Sequence, residues 1–254
     1  MLQHFQLLKL LIHRDLTFRY KRSAIGVGWT LLNPILTSFV LWVAFSFVFA
    51  SKLSGGQQYA PYLMSGILLN AFWGQGLVSS AEAIQSNSAV LTKVAVPPQI
   101  FTLAAAISAS LNFAIGLIPL TLVVIISGSL PAVSFPLIFL VGLAMAIFIS
   151  GLALMLSVLY IRFDDTKNII GVLLLIQMYT TPIFYPISIL DPDIQQIVRL
   201  NPINSFLECF RWSLTGLGPN SILNWMYIFL VSILSFTVGV KVFKKFWPRT
   251  VAML

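Results

Sequence analysis

The carboxylates, imidazoles and thiols that acid–base, nucleophilic or metal chemistry would use amount to seven Asp and Glu, two His and one Cys. Two carboxylate pairs stand close enough in sequence to act as acid and base, Asp164 with Asp165 and Asp191 with Asp193. The apolar run 168–185 separates them and sets them on opposite faces of any membrane it crosses, so they cannot share a site. Asp191-Pro192-Asp193 reads as a turn and helix cap. Cys209 lacks a second thiol and His4 and His13 lack a carboxylate cluster, so no metal-ligand spacing exists. No G-x-x-x-x-G-K-S/T phosphate loop, H-E-x-x-H or G-x-S-x-G occurs. The chain therefore has no ATP-binding loop, metal cofactor or hydrolase constellation of its own.

What remains is positive charge and aromatic rings on an apolar chain. The sequence is 58% hydrophobic and 9% charged, with mean hydropathy +0.94, far from the roughly 25% charge of a soluble domain. Lipid is the solvent such a composition fits. The net charge of +8 does not form a basic, aromatic-interleaved face, which excludes nucleic acid as a partner. Six apolar segments have spanning length: 28–50, 59–81, 100–127, 137–161, 168–185 and 222–240. None carries a charged residue at its centre, where one costs about 2.5–3.5 kcal/mol. The N-terminal piece, the second and fourth loops and the tail hold twelve Lys and Arg, against three on the other side. The positive-inside rule then puts both termini in the cytoplasm. Arg19, Lys21 and Arg22, just before the first span, either only set this topology or also attract an anionic lipid headgroup, at about 1 kcal/mol per cation.

Three non-spanning pieces complete the expected architecture. Phe5, Leu8, Ile12 and Leu16 share one helical face, so residues 1–22 are expected to begin as an amphipathic helix on the membrane surface or as an extension of span one. Ser79 and Glu82 have capping-box spacing, and Pro97 and Pro98 stop any helix before span three, so a cytoplasmic helix is expected over 82–98. Ile84, Leu91 and Val94 form its apolar stripe, suited to docking a soluble partner. The outer stretch 186–220 contains "LNPINSFLECFRW", an Asn-Pro start and an amphipathic run in which Glu208 and Arg211 sit three apart, within pairing reach. Short re-entrant helices are expected there. The fold class is thus an all-α integral membrane protein of six transmembrane helices in one domain, residues 1–254.

Phe39, Trp42, Phe45 and Phe49 fall at helical spacings on span one, Phe72 and Trp73 on span two, and Tyr179, Phe184 and Tyr185 at the end of span five. Ring faces stack on sugars, so these nine could line a polysaccharide passage. Lipid contact and helix packing would use the same residues. No carboxylate or histidine lies inside a span, which speaks against a proton-driven carrier.

In order along the chain, Arg14-Asp15, Arg19-Tyr20-Lys21-Arg22, Gly26, Trp29, Pro34, Glu82…Asn87…Lys93…Pro97, Arg162-Phe163-Asp164-Asp165, Thr181-Pro182-Ile183-Phe184-Tyr185 and Asn201-Pro202…Glu208…Arg211 resemble the motifs of the ABC-2 type permeases of bacterial polysaccharide exporters, those of O-antigen, teichoic acid and capsule. Asp164 departs from the pattern, which often has a cation there. The resemblance covers essentially the whole chain. It implies a homodimer in the bacterial inner membrane, two separate nucleotide-binding subunits that bind ATP and Mg, and an undecaprenyl-pyrophosphate-linked glycan as cargo. It also implies ATPase coupling through Glu82, Ile84, Asn87, Leu91, Lys93 and Val94. A permease for drugs or ordinary lipids and an ATP-independent secondary transporter are the competing functions, though no inverted repeat relates the two halves.

Overall fold

Apolar segments of this length satisfy their backbone in lipid by coiling into helices. The computed structural model describes residues 8–12, 14, 28–53, 56–91, 96–218 and 220–250, and all regular structure among them is helical. Residues 8–12 and 14 are helical. Then follow α1 (Gly28–Phe49), α2 (Tyr59–Ser86), the single turn α3 (Ser88–Leu91), α4 (Gln99–Ile126), α5 (Ile138–Arg162), α6 (Thr166–Thr180), α7 (Pro192–Leu200), α8 (Pro202–Thr215) and α9 (Ile222–Thr250). Four apolar stretches are long enough to cross a membrane: Leu32–Phe49, Gln99–Ile126, Phe135–Arg162 and Ile222–Thr250.

The core lies where α2, α4, α5 and α8 meet. Phe72 stacks on Phe113 at 4.7 Å, Trp73 on Phe148 at 5.3 Å, Phe113 tilts against Phe210 at 5.4 Å and Phe148 against Phe206 at 5.7 Å. Rings at these separations add about 0.5–1.5 kcal/mol per pair beyond burial. Behind this layer α5 and α9 cross in direct backbone contact. A Cβ at Gly239 would collide with the Gly151 carbonyl, and one at Gly151 with the Ser235–Phe236 peptide. Ser232 Oγ donates to the Ala144 carbonyl at 2.8 Å and Ser235 Oγ to that of Phe148 at 3.1 Å, so polar side chains seal the contact that the glycines allow.

Several boundaries differ from the sequence expectation. The helix of the fifth segment stops at Thr180, because Thr181 precedes Pro182 and is driven to extended backbone, φ −98°, ψ 137°. Fifteen residues rise about 22 Å, short of the roughly 30 Å hydrocarbon. The last helix runs to Thr250, ten residues past the expected end, and carries Lys241, Lys244, Lys245 and Arg249. No separate helix begins at residue 82. Ser79 is mid-helix, its hydroxyl donating back to the Gly76 carbonyl at 3.3 Å, so it cannot act as an N-cap. Residues 82–86 instead finish α2, and Asn87 closes it by donating Nδ2 to the Ala83 carbonyl at 2.7 Å. Near the N-terminus Leu11, not the Leu8–Ile12 face, is the deepest side chain, packed in a cluster with Ile84, Phe101, Leu154 and Phe243. Phe5 and Leu16 lie outside the described residues. In the outer stretch α8 is a core helix. Asn201 accepts from the Ile203 amide at its start, Pro202 sits in its first turn, and Gly216 ends it in the left-handed region at φ 70°.

Candidate functional site

Two features stand out where α1, α2, α4, α6 and α8 converge. The first is a locked turn after α6. After α6 the backbone of 181–185 leaves helical geometry, and every carbonyl from Pro182 to Tyr185 needs a donor from elsewhere. Arg211 of α8 donates Nη1 to the Pro182 carbonyl at 2.9 Å and Nη2 to those of Tyr62 at 3.0 Å and Ile183 at 3.1 Å. Its Nε reaches Ser65 Oγ at 3.4 Å, and its guanidinium lies 3.4 Å from the Tyr62 ring centroid. Tyr62 shares its hydroxyl proton between the Pro182 and Tyr185 carbonyls, at 3.1 and 2.9 Å, and Tyr59 donates to Phe184 at 2.9 Å. The four carbonyls are therefore all capped. Gly66 makes this possible, since a Cβ there would stand 2.9 Å from Arg211 Nη2 and 3.2 Å from the Ile183 oxygen. Burial pulls the Arg211 guanidinium below its ordinary range, while Tyr62, Glu208 and Tyr59 act in the opposite sense.

Glu208 and Arg211, three residues apart, do not form the expected pair. Arg211 turns inward to carbonyls. Glu208 takes amides instead, from Asn204 Nδ2 at 3.1 Å and Asn224 Nδ2 at 2.6 Å, which ties α8 to α9.

The second feature is a groove of about 910 Å³ between α1, α2, α4 and α6, ending beneath that turn. Its wall follows one face of α2 from Ile67 to Glu82, about 22 Å at 1.5 Å per residue. Asn33 and Thr37 of α1, Asn70, Gln75, Ser79 and Glu82 of α2 and Asn112 of α4 make it polar among apolar neighbours. Thr37 donates to Asn33 Oδ1 at 3.3 Å. Asn112 Oδ1 is buried without a partner, and no hydrogen bond engages the Asn70 or Gln75 carboxamide among the described residues.

Of the nine rings expected along a passage, Phe72 and Phe184 border this groove. Phe45 links them outward: its ring lies 5.8 Å from Phe49 and 6.2 Å from Phe184, which sits 6.3 Å from Tyr179. Tyr185 donates its hydroxyl to the Tyr179 carbonyl at 3.0 Å. Phe39 and Trp42 stack on each other at 6.3 Å on the exposed face of α1, away from the groove lining. Phe72 and Trp73 are both core residues, stacked on Phe113 and Phe148, and Phe72 only touches the edge of the groove.

The residues expected to couple to an ATPase also divide. Ile84 is fully buried, so it holds the helix ends together and cannot touch a partner. Glu82 is half-buried and pairs with Lys167 at 4.0 Å, joining the end of α2 to the start of α6. Asn87 lies between α2 and α3 and Leu91 ends α3, both half-buried. Lys93, Val94, Arg19, Lys21 and Arg22 lie outside the described residues.

Sequence reasoning missed the amide lining and the Tyr59–Tyr62–Ser65 cap. A signal for the first existed: Trp29, Asn33 and Thr37 recur every fourth residue on α1, and carboxamides interrupt apolar spans at 70, 75 and 112. The second depends on contacts more than a hundred residues apart and leaves no local pattern.

A family model described as ABC-2 type transporter matches residues 6–215. The chain is 25% identical to an O-antigen export system permease protein RfbA of Klebsiella pneumoniae, over 98% of its own length and 95% of the relative's. It is 28% identical to an RfbA of Myxococcus xanthus, over 82% and 80%. It is 26% identical to the capsule polysaccharide export inner-membrane protein CtrC of Neisseria meningitidis serogroup B, over 93% and 89%.

Proposed function

The chain belongs to the ABC-2 type transporter family, and on that premise we propose that it is the permease subunit of an ATP-driven exporter that moves a polysaccharide across the inner membrane. The observation that carries this is collinearity: relatives named for O-antigen and for capsule export align with nearly the whole chain, including the groove and the outer turn. A groove rich in amides and rings is chemically suited to sugars, which present hydroxyls at their edges and apolar patches on their faces.

In this reading the protein is multi-pass. Its six crossings are the four long apolar helices together with α2 and the α6–turn unit, and both termini are cytoplasmic. The basic residues at the end of α9 support that orientation. A homodimer would enclose the exposed faces of α1 and α6. Two nucleotide-binding subunits, holding ATP and Mg, would dock at the Asn87–Leu91 turn. Movement there would reach α6 through Glu82 and Lys167 and open the passage past Phe45, Phe49, Phe184 and Tyr179. The cargo would be carried on an undecaprenyl-pyrophosphate-type anchor whose headgroup meets Arg19, Lys21 and Arg22.

The test is deletion of the gene in its own host. The expected result is loss of surface polysaccharide with accumulation of the lipid-linked glycan inside, both restored by the wild-type gene. Unchanged surface polysaccharide would refute the reading.

A further inference from the structure

Resting on the multi-pass reading, we infer that Lys241, Lys244, Lys245 and Arg249 at the end of α9 form a docking stripe for the anionic phospholipid headgroups of one leaflet. α9 has 29 residues and rises about 43 Å. Its residues 222–240 carry no charge and rise about 28 Å, close to the roughly 30 Å of a hydrocarbon core. Residues 241–250 prolong the same helix by about 15 Å, into and past the headgroup layer that makes a bilayer about 40–45 Å thick. The four cations therefore stand at the depth of lipid phosphates, while the other end of the helix, Ile222-Leu223-Asn224-Trp225, carries none.

The stripe is one-sided. At about 100° per residue the four cations fall within an arc of about 140°, and all four are exposed. Phe243 and Thr250 lie on the opposite side and are buried, Phe243 in the cluster that holds Leu11, Ile84 and Leu154. The helix is thus fixed by its apolar face and presents its cations outward. Among the described residues no carboxylate pairs with any of them, and α9 itself contains no Asp or Glu. α5 runs parallel to α9, with Ala144 beside Ser232 and Gly151 beside Gly239, so Asp164 and Asp165 follow it at this same end. They are balanced in the sequence by Arg162 and Lys167 and leave the stripe its charge. Three of the four cations are lysines, compact charges on flexible stems that can reach mobile phosphates at slightly different heights, whereas a fixed carboxylate is better met by the planar fork of arginine. A cluster of about four to eight Lys and Arg directly beyond a spanning helix is what an anionic lipid surface attracts. Contact on this face ties α9, and with it the α5–α9 pair, to the leaflet.

The test is the lipid selectivity of the purified permease in phosphatidylcholine vesicles that contain a trace of spin-labelled phosphatidylglycerol or spin-labelled phosphatidylcholine. The motionally restricted fraction of each probe reports lipid held at the protein surface. The phosphatidylglycerol probe is expected to be held about fivefold more strongly at about 0.1 M salt, and the preference to vanish near 1 M, where charges are screened within about 3 Å. The quadruple variant Lys241→Gln, Lys244→Gln, Lys245→Gln and Arg249→Gln keeps side-chain length and removes the charge. Its preference is expected to fall to about twofold or less, with the phosphatidylcholine fraction and capture of the ATPase as in wild type. Equal retention of the two probes by the wild-type protein would overturn the inference even if the variant misfolds. An unchanged preference in the variant would assign the anionic lipid to other cations, and loss of ATPase capture with the preference intact would assign the stripe to the partner subunit; either result would overturn it. The polysaccharide-export reading stands or falls separately, on the gene deletion.

Discussion

Arg211 joins α8, α2 and the turn after α6 through one guanidinium, and its replacement is the sharpest residue-level test of that turn. Arg211→Met removes the donor of the Ile183 carbonyl and one of the two at Pro182, which keeps the Tyr62 hydroxyl. At about 1–3 kcal/mol for a buried unsatisfied group, the loss is expected to be about 1–3 kcal/mol, read as a lowered Tm in detergent. Arg211→Lys keeps the charge but lacks the planar fork, so it should recover only part of that stability. A Tm unchanged in Arg211→Met would show that the turn holds itself. The same helix buries Cys209, where desolvation and then the Glu208 carboxylate push the thiol up to about 12. The thiolate is thus scarce throughout the neutral range and appears only as pH approaches that value. Maleimide is expected to leave Cys209 unmodified at about pH 8 in the folded protein and to react fully once detergent denaturation exposes it. Rapid labelling of the native chain would place the thiol at a surface instead.

At the scale of elements, Gly74 marks where α2 can be altered without touching its packing. A Cβ there meets only Leu174 Cδ1, at 3.9 Å, across the groove. Gly74→Leu should raise helix stability by up to about 1 kcal/mol through propensity while filling the passage. The expected outcome is a folded permease, Tm kept or raised, with export abolished; full export would show that cargo does not use this groove. Ile84 and Leu91 separate packing from docking in the same way. Ile84→Ala should cost about 2–5 kcal/mol of stability, as core truncations do, whereas Leu91→Asp, half-buried at the rim of the same cluster, should lower Tm less and reduce copurification of the ATPase. Retained ATPase capture in Leu91→Asp would move the docking surface away from this turn. The elements were legible where composition alone decides them. The four apolar stretches long enough to cross fall on segments read from hydropathy, and the Asn201-Pro202 start of α8 follows from capping chemistry. The coupling region was misread because Ser79 and Glu82 satisfy a capping pattern that a continuing helix ignores. Glu208 and Arg211 were misread because helical spacing gives reach but not partners. The carbonyls of a distant broken helix needed the guanidinium more than a nearby carboxylate did.

Across the whole molecule, the rigid α5–α9 pair and the aromatic core form a scaffold against which α1 and α6 stand with long exposed apolar faces. A groove whose walls include two such helices widens or narrows as they move, and the Glu82–Lys167 contact connects its Glu82 end to α6. In the proposed reading the energy for that movement comes from nucleotide hydrolysis by a partner subunit. The most direct measurement is therefore transport by the purified permease in proteoliposomes, with and without its nucleotide-binding partner, using lipid-linked glycan from the host. The account predicts glycan translocation only when partner, ATP and Mg are all present. Translocation by the permease alone, or none of this glycan by the complete complex while it hydrolyses ATP, would contradict it.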